Sequence, residues 1–460
     1  MPLFRRGIGR GEAQQCIGSP AYIQSRVALS RRTAAIGPQG MRRTNGLQVH
    51  VPIAFSRQRP SFRYTLRDHG NEPLTSVVPT AGFLHSLREL SQSEVSLLPS
   101  VTSVAHLFAD EASPKALADW TSSDTPIISL HITQFSDATC VGLKVPHSVL
   151  DGGSIRIVIH GWTKVLTGTL PPPLNILGYT NVKEGKKLAI DALSAIAEGR
   201  DGTEAATAPY LLRGFSYFVF IILIVVDIIW NKREKKRLIH LPKAFVEALR
   251  YQAMGGLSEG ERVSSSSVVA AWLAKTAYPH RRYPFGLTYV HLFDTRGRSD
   301  RLPVNPLGNL ALRTFAWIDT SGASSNVQEG ARAIQQSVKL HTSSDEVCRQ
   351  AAFRIARLNG GHDDNLYRIG NSQILFGSSW EGMKIHETDW SEAISERKGP
   401  AQETRPRWVF PIMGINGVPE RNSSIMYCDR EGAFWIQLNL REKDWSAIEQ
   451  ELAGQVIVVK

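Results

Sequence analysis

Between residues 127 and 167 the apolar residues change their period once, and that change dictates a strand pair running into a helix. Residues 127–136 and Ala138–Val145 alternate apolar and polar side chains as half-buried strands do, with a turn at Ser136-Asp137. From Ile155 onward, Val158, Ile159, Trp162 and Val165 recur at steps of three and four. They form the apolar face of a helix over 153–167, with Ser154 as its cap. At the junction stands Pro146-His-Ser-Val-Leu-Asp-Gly-Gly153. An imidazole titrates near neutral pH and suits removal of a proton from an attacking hydroxyl, which makes His147 a candidate general base. A carboxylate four residues on, Asp151, either orients such a ring or braces its loop through a cation elsewhere. Gly152 and Gly153 allow backbone approaches that larger residues forbid. The same spacing also fits a histidine satisfied at a strand end beside a turn aspartate.

A chain of 460 residues exceeds one ordinary core and divides into two domains. Residues 1–43 form an Arg-rich, irregular segment, followed by a first domain over 44–200 that holds His147. Residues 201–238 form a crossover, and 239–460 a second domain. Leu47–Ile53 alternates as a strand. Residues 183–210, charged and then Ala/Gly-rich, suit a linker or a surface crossover. Helices are expected over 242–254, 264–277 and 441–453, with strands over 287–293, 423–428 and Ala433–Leu440.

The net charge of +11 does not indicate nucleic-acid binding, because residues 1–43 alone carry eight Arg against Glu12, leaving +4 for the other 417 residues. A nucleic-acid footprint is a basic face on a folded domain. The acid-poor start resembles a mitochondrial presequence in composition and is read as an irregular terminus, with no secretory signal. Cys16, Cys140, Cys348 and Cys428 are scattered, which offers neither a disulfide framework nor a metal site and suits a reducing, cytoplasmic setting. One segment, 215–230, has ten consecutive apolar residues from Tyr217 to Val226 and is followed by Lys232, Arg233, Lys235, Lys236 and Arg237. It falls short of the roughly 20 residues a span needs, so it reads as a docked or surface-lying helix, with peripheral anchoring at a membrane interface and a true span as the alternatives.

These motifs together resemble the BAHD superfamily, in its branch of fungal CoA-dependent acyltransferases acting on secondary metabolites. Residues 49–62 resemble the family's early strand and loop, and His147–Gly152 its H-x-x-x-D-G. Residues 258–275 resemble its Ala-Trp helix, here Ala271-Trp272, and Phe293–Arg298 with Leu307-Gly-Asn309 the R-G-R and L-G-N block. Ser378-Ser379-Trp380 resembles its T/S-S-W. Asp389 stands where the family has the Asp of D-F-G-W-G, although this chain continues Trp390-Ser391 and reaches Lys-Gly-Pro only at 398–400. The resemblance implies an α/β protein of two chloramphenicol-acetyltransferase-like domains, each a mixed sheet flanked by helices, with the active-site channel between them. It implies His147 as base, Ser378 and Trp380 as oxyanion donors, and Asp151 paired with Arg296 in a structural role. It also implies Asp389 as a loop anchor. Acyl-CoA, as acetyl-CoA, would be a co-substrate and no cofactor or metal would be held permanently. Transfer would be direct, from a monomer, to a hydroxylated terpenoid, polyketide or alkaloid. Two alternatives stand beside it: a catalytically decayed binding protein, and transfer from an acyl carrier protein.

Overall fold

The computed structural model describes most of residues 63–454; stretches 1–62, 75–93, 177–192, 279–284, 321–326, 361–365, 395–403, 413–420 and 455–460, with a few single positions, lie outside it. The expected strand at 47–53, the block 49–62, segment 1–43 and Lys398-Gly-Pro400 therefore fall outside the described residues.

The alternating stretch before His147 forms β3 (Ser129–Gln134) and β4 (Thr139–Lys144), antiparallel across the Ser136-Asp137 turn, where Phe135 N–H donates to Ala138 C=O at 2.8 Å. With β1 (Arg63–Asp68), parallel to β3, they make a three-stranded mixed sheet. The period switch then produces α1 (Gly152–Leu166).

A second sheet of seven strands has the order β2 (Ser96–Pro99), β6 (Glu234–Leu241), β12 (Phe434–Arg441), β11 (Ser423–Cys428), β10 (Gln373–Ser379), β7 (Leu287–Asp294) and β9 (Ala311–Ile318). β10 runs parallel to both β7 and β11, and the remaining pairs are antiparallel, so this sheet too is mixed. β5 (Asn175–Ile176) and β8 (Pro306–Leu307) join in a short parallel pair that ties the two halves of the chain. Helices α3 (Lys243–Met254), α4 (Ser265–Ala277), α5 (Val327–His341), α6 (Ser344–Asn359) and α7 (Trp445–Gly454) complete the second half. In α4, Val268 to Ala274 are buried all round, because the helix is enclosed by α3, α5, α7 and the sheet. Each fully buried Val or Leu there contributes roughly 1.5–3 kcal/mol.

Three expectations shift. Ser96–Pro99 belongs to the stretch read as the first domain yet forms the edge of the second sheet. Its alternation sends Leu97 into one apolar cluster and Leu98 into the other, so both faces of the edge are covered. β6 begins at Glu234, inside the expected crossover. Its Lys235, Lys236 and Arg237 pair along β12, where Arg237 lays its guanidinium 5.3 Å from the Trp445 ring. The linker or surface crossover expected over 183–210 also buries a helical turn over 193–197: Leu193 and Ile196 pack with Leu312, Val347 and Ala351.

The apolar segment forms α2 (Gly214–Trp230), which lies on the surface with no fully buried residue. Among the described residues no helix is long and apolar enough to cross a membrane.

Candidate active site

The loop after β4 turns tightly, with Val149 N–H donating to Pro146 C=O at 2.9 Å, and then enters α1. The cap of that helix is Asp151, not Ser154: Asp151 Oδ1 accepts from Ser154 N–H at 2.8 Å, and the helix begins at Gly152. Both residue types cap well, but here the Ser154 hydroxyl is otherwise engaged. It donates to Gly308 C=O at 2.9 Å and accepts from Gly308 N–H at 3.0 Å and from Arg296 Nη2 at 2.8 Å.

Asp151 and Arg296 form a buried pair. Arg296 Nη1 donates to Asp151 Oδ2 at 3.1 Å, and Nη2 stands 3.0 Å from Oδ1. Asp151 Oδ2 also accepts from Leu310 N–H at 2.8 Å. The remaining guanidinium donors go to Asp294 Oδ1 (2.7 Å), Pro306 C=O (2.9 Å) and Gly308 C=O (2.9 Å). The planar fork of arginine, with donors fixed in several directions, suits such a hub. A Cβ on Gly153 would stand 2.4 Å from Arg296 Nη1 and 2.5 Å from Asp294 Oδ2, so only glycine lets the helix approach. Asn309 Nδ2 donates to His147 C=O at 2.8 Å, which fixes the backbone that carries the imidazole. Asp151 is therefore committed to the scaffold, and His147 is left exposed toward solvent with its ring taking no partner among the described residues.

A further part of the site comes from the end of β10. Ser378 and Trp380 are half-buried, and Trp380 N–H donates to Met426 C=O at 2.7 Å. The indole lies against the first turn of α1: a Cβ on Gly152 would stand 3.1 Å from Trp380 Cζ2 and 2.5 Å from Met383 Cε. Neither the Ser378 hydroxyl nor the Trp380 indole N–H has a hydrogen-bond partner among the described residues.

His147, Ser378 and Trp380 all line one continuous cavity of about 2820 Å³. Pockets for a single drug-sized ligand run to roughly 300–1,000 Å³, so this space admits two sizeable molecules. Deeper in the cavity, on β7, His291 Nδ1 lies 3.4 Å from Tyr289 Oη. Burial pushes the His291 imidazole down to about 4 and raises the Tyr289 phenol, so both are neutral at pH 7. His291 was not singled out in the sequence; the only signal was a polar residue inside an otherwise apolar strand. Cationic Lys144, Arg405 and Arg407 line other parts of the wall.

Asp389 is exposed and bonds within its own loop. It accepts from Ser391 N–H at 2.9 Å and from Ser391 Oγ at 3.2 Å, and these bonds, with Thr404, hold its carboxyl below the usual range. The contact from this loop to α1 is made instead by Trp390, whose ring meets Trp162 edge-on at 4.7 Å. His160 on α1 adds a bond of 3.1 Å to Met383 C=O.

No family model matches the chain. It is 24% identical over 450 residues to the acetyltransferase adrJ of Penicillium roqueforti (88% of this chain, 83% of that one). It is 27% identical over 436 residues to the acetyltransferase pyiB of Pyricularia grisea (89% and 82%). A further relative, calD of Penicillium decumbens, is named a transcriptional regulator and is 25% identical over 438 residues (88% and 83%). The solved structure of Fusarium graminearum TRI101 complexed with coenzyme A and T-2 mycotoxin superposes with a TM-score of 0.56 at 15% identity, covering 85% of this chain and 80% of that one. The chain thus shares the fold of that coenzyme A complex, and it is similar over most of its length to proteins named acetyltransferases.

Proposed function

We propose that the chain transfers an acetyl group directly from acetyl-CoA to a hydroxyl of a secondary metabolite, with His147 as general base. The observation that carries this reading is that three unengaged polar groups, the His147 ring, the Ser378 hydroxyl and the Trp380 indole N–H, belong to the lining of one cavity. His147 takes the proton of the acceptor hydroxyl as its oxygen attacks the thioester carbonyl. The oxyanion of the tetrahedral intermediate accepts from Ser378 and Trp380, and each such donor is worth about 3 kcal/mol when preorganised. Collapse expels the CoA thiolate, which recovers the proton from the imidazolium. Lys144, Arg405 and Arg407 supply positive charge suited to CoA phosphates. Asp151 and Arg296 hold the loop and take no part in proton transfer, and Asp389 anchors the loop from Ser391 to Thr404. Support also comes from the relatives named acetyltransferases and from the CoA complex of TRI101.

The test is thiol release from acetyl-CoA by the purified chain over a panel of hydroxylated terpenoids, polyketides and alkaloids. His147→Ala should lower turnover by about 10²–10⁴ while leaving CoA binding intact. Binding of acetyl-CoA without turnover by wild type on every acceptor would instead support the non-catalytic role suggested by the name of calD. Activity with an acyl carrier protein alone would move the donor from CoA to that carrier.

A further inference from the structure

Helix α2 presents an apolar face to solvent, and its construction indicates what covers it. Phe215, Phe218, Ile222, Val225 and Ile229 follow one another at steps of three and four, so they share one face, and each is between 44% and 81% exposed. Leu223 and Trp230, at 51% and 78%, widen that face. The helix carries one charged residue, Asp227, and it is turned inward. Asp227 accepts from Arg421 Nη1 at 2.8 Å, from Arg441 Nη1 at 2.7 Å and from Asn231 Nδ2 at 2.8 Å. On the same inner side Phe220 packs with Leu211, Phe353 and Tyr367, under the Arg368 guanidinium at 5.7 Å. The helix is thus held to the body by ion pairs, and its outer face is left without charge.

The surroundings of that face are cationic. Lys232 and Lys235 are exposed just beyond its C-terminal end, beside Arg233, which pairs with Glu442 at 3.7 Å, and Arg213 is exposed at its start. Seventeen residues span about 26 Å along the axis, and the helix is too short and too tightly pinned through Asp227 to cross a bilayer. We propose that α2 lies flat in the headgroup region of an anionic phospholipid membrane, its apolar face among the acyl chains and its terminal cations on the phosphates. Trp230 and Phe215, at the two ends, suit the interfacial depth. Pairing two copies through this face would set like charges together in either sense, cluster on cluster if parallel and cluster on Arg213 if antiparallel. A membrane supplies the opposite charge instead.

The experiment is sedimentation of the full chain with phosphatidylcholine vesicles and with vesicles containing about 30% phosphatidylserine, paired with Trp fluorescence quenching by brominated lipid. Wild type should pellet with the anionic vesicles and show quenching. Ile222→Glu/Val225→Glu, at exposed positions, should stay in the supernatant with unchanged circular dichroism and unchanged thiol release. Lys232→Glu/Lys235→Glu should bind at least about tenfold more weakly, and wild-type binding should weaken with salt. Wild type remaining soluble with both vesicles, or Ile222→Glu/Val225→Glu pelleting like wild type, overturns the proposal. A concentration-dependent dimer that the Ile222→Glu/Val225→Glu variant abolishes, without vesicle binding, assigns the face to a second copy and also overturns it.

Discussion

The hub around Arg296 shows how much one buried charge can organise. Its side chain is 10% exposed and that of Asp151 5%, so neither has water to fall back on. Removing one member of such a pair typically costs about 3–5 kcal/mol, because the survivor is stranded. Arg296→Met should therefore lose about 3 kcal/mol in urea denaturation. Asp151→Asn, combined with it, should recover part of that loss, which gives a nonzero coupling in a double-mutant cycle. Gly153→Ala should be destabilising by about 1–3 kcal/mol and should lower acetyl transfer, since its methyl would force Arg296 and Asp294 aside. A melting curve and a thiol-release assay on the same preparation check both halves. Asp151 and Arg296 were legible as a pair only through the resemblance. The parts that Ser154, Asp294 and Asn309 play in the hub were not, because a hydroxyl that bridges Gly308 to Arg296 leaves no periodic trace.

At the scale of elements, α1 is the bridge between the two halves of the chain. Its first turn rests on Trp380, its middle bonds Met383 through His160, and Trp162 meets Trp390. The aspartate at 389 was the residue the sequence pointed to in this loop; it is exposed and ties its own turn to Thr404 across the loop, without reaching α1. Asp389→Ala should cost under about 1 kcal/mol, as exposed carboxylates usually do. Trp390→Ala should cost more, about 1–3 kcal/mol, through lost burial and the edge-on aromatic contact. Thermal denaturation of the two variants side by side decides the order. The degenerate text after Asp389 hid this, because Trp390 matters through a partner far away in sequence.

Across the whole molecule, buried neutral histidine makes stability depend on acid. The folded value of His291 is about 4, below the ordinary 6.5, so the folded state binds fewer protons than the unfolded chain between those limits. Its contribution is complete above about pH 6.5 and is lost as the pH falls toward 4, to the extent of about 3 kcal/mol. Burial lowers the His240 value as well, which adds in the same direction. Urea denaturation as a function of pH should show this decline, and His291→Gln should flatten it; an unchanged slope would count against the neutral imidazole in the cavity.

By itself the sequence determined the local alphabet: the strand pair into α1, the apolar helix α4, the hairpin β11–β12 and the His147 loop. Each is set by periodicity and turn chemistry within a dozen residues. Tertiary structure alone decided that Ser96–Pro99 leaves its neighbours to edge the larger sheet, that Asp151 displaces Ser154 as cap, and that Asp227 turns inward and leaves α2 apolar outside. Those outcomes depend on which distant group reaches a given atom, and burial and hydrogen bonding settle such competition only when the whole chain is assembled.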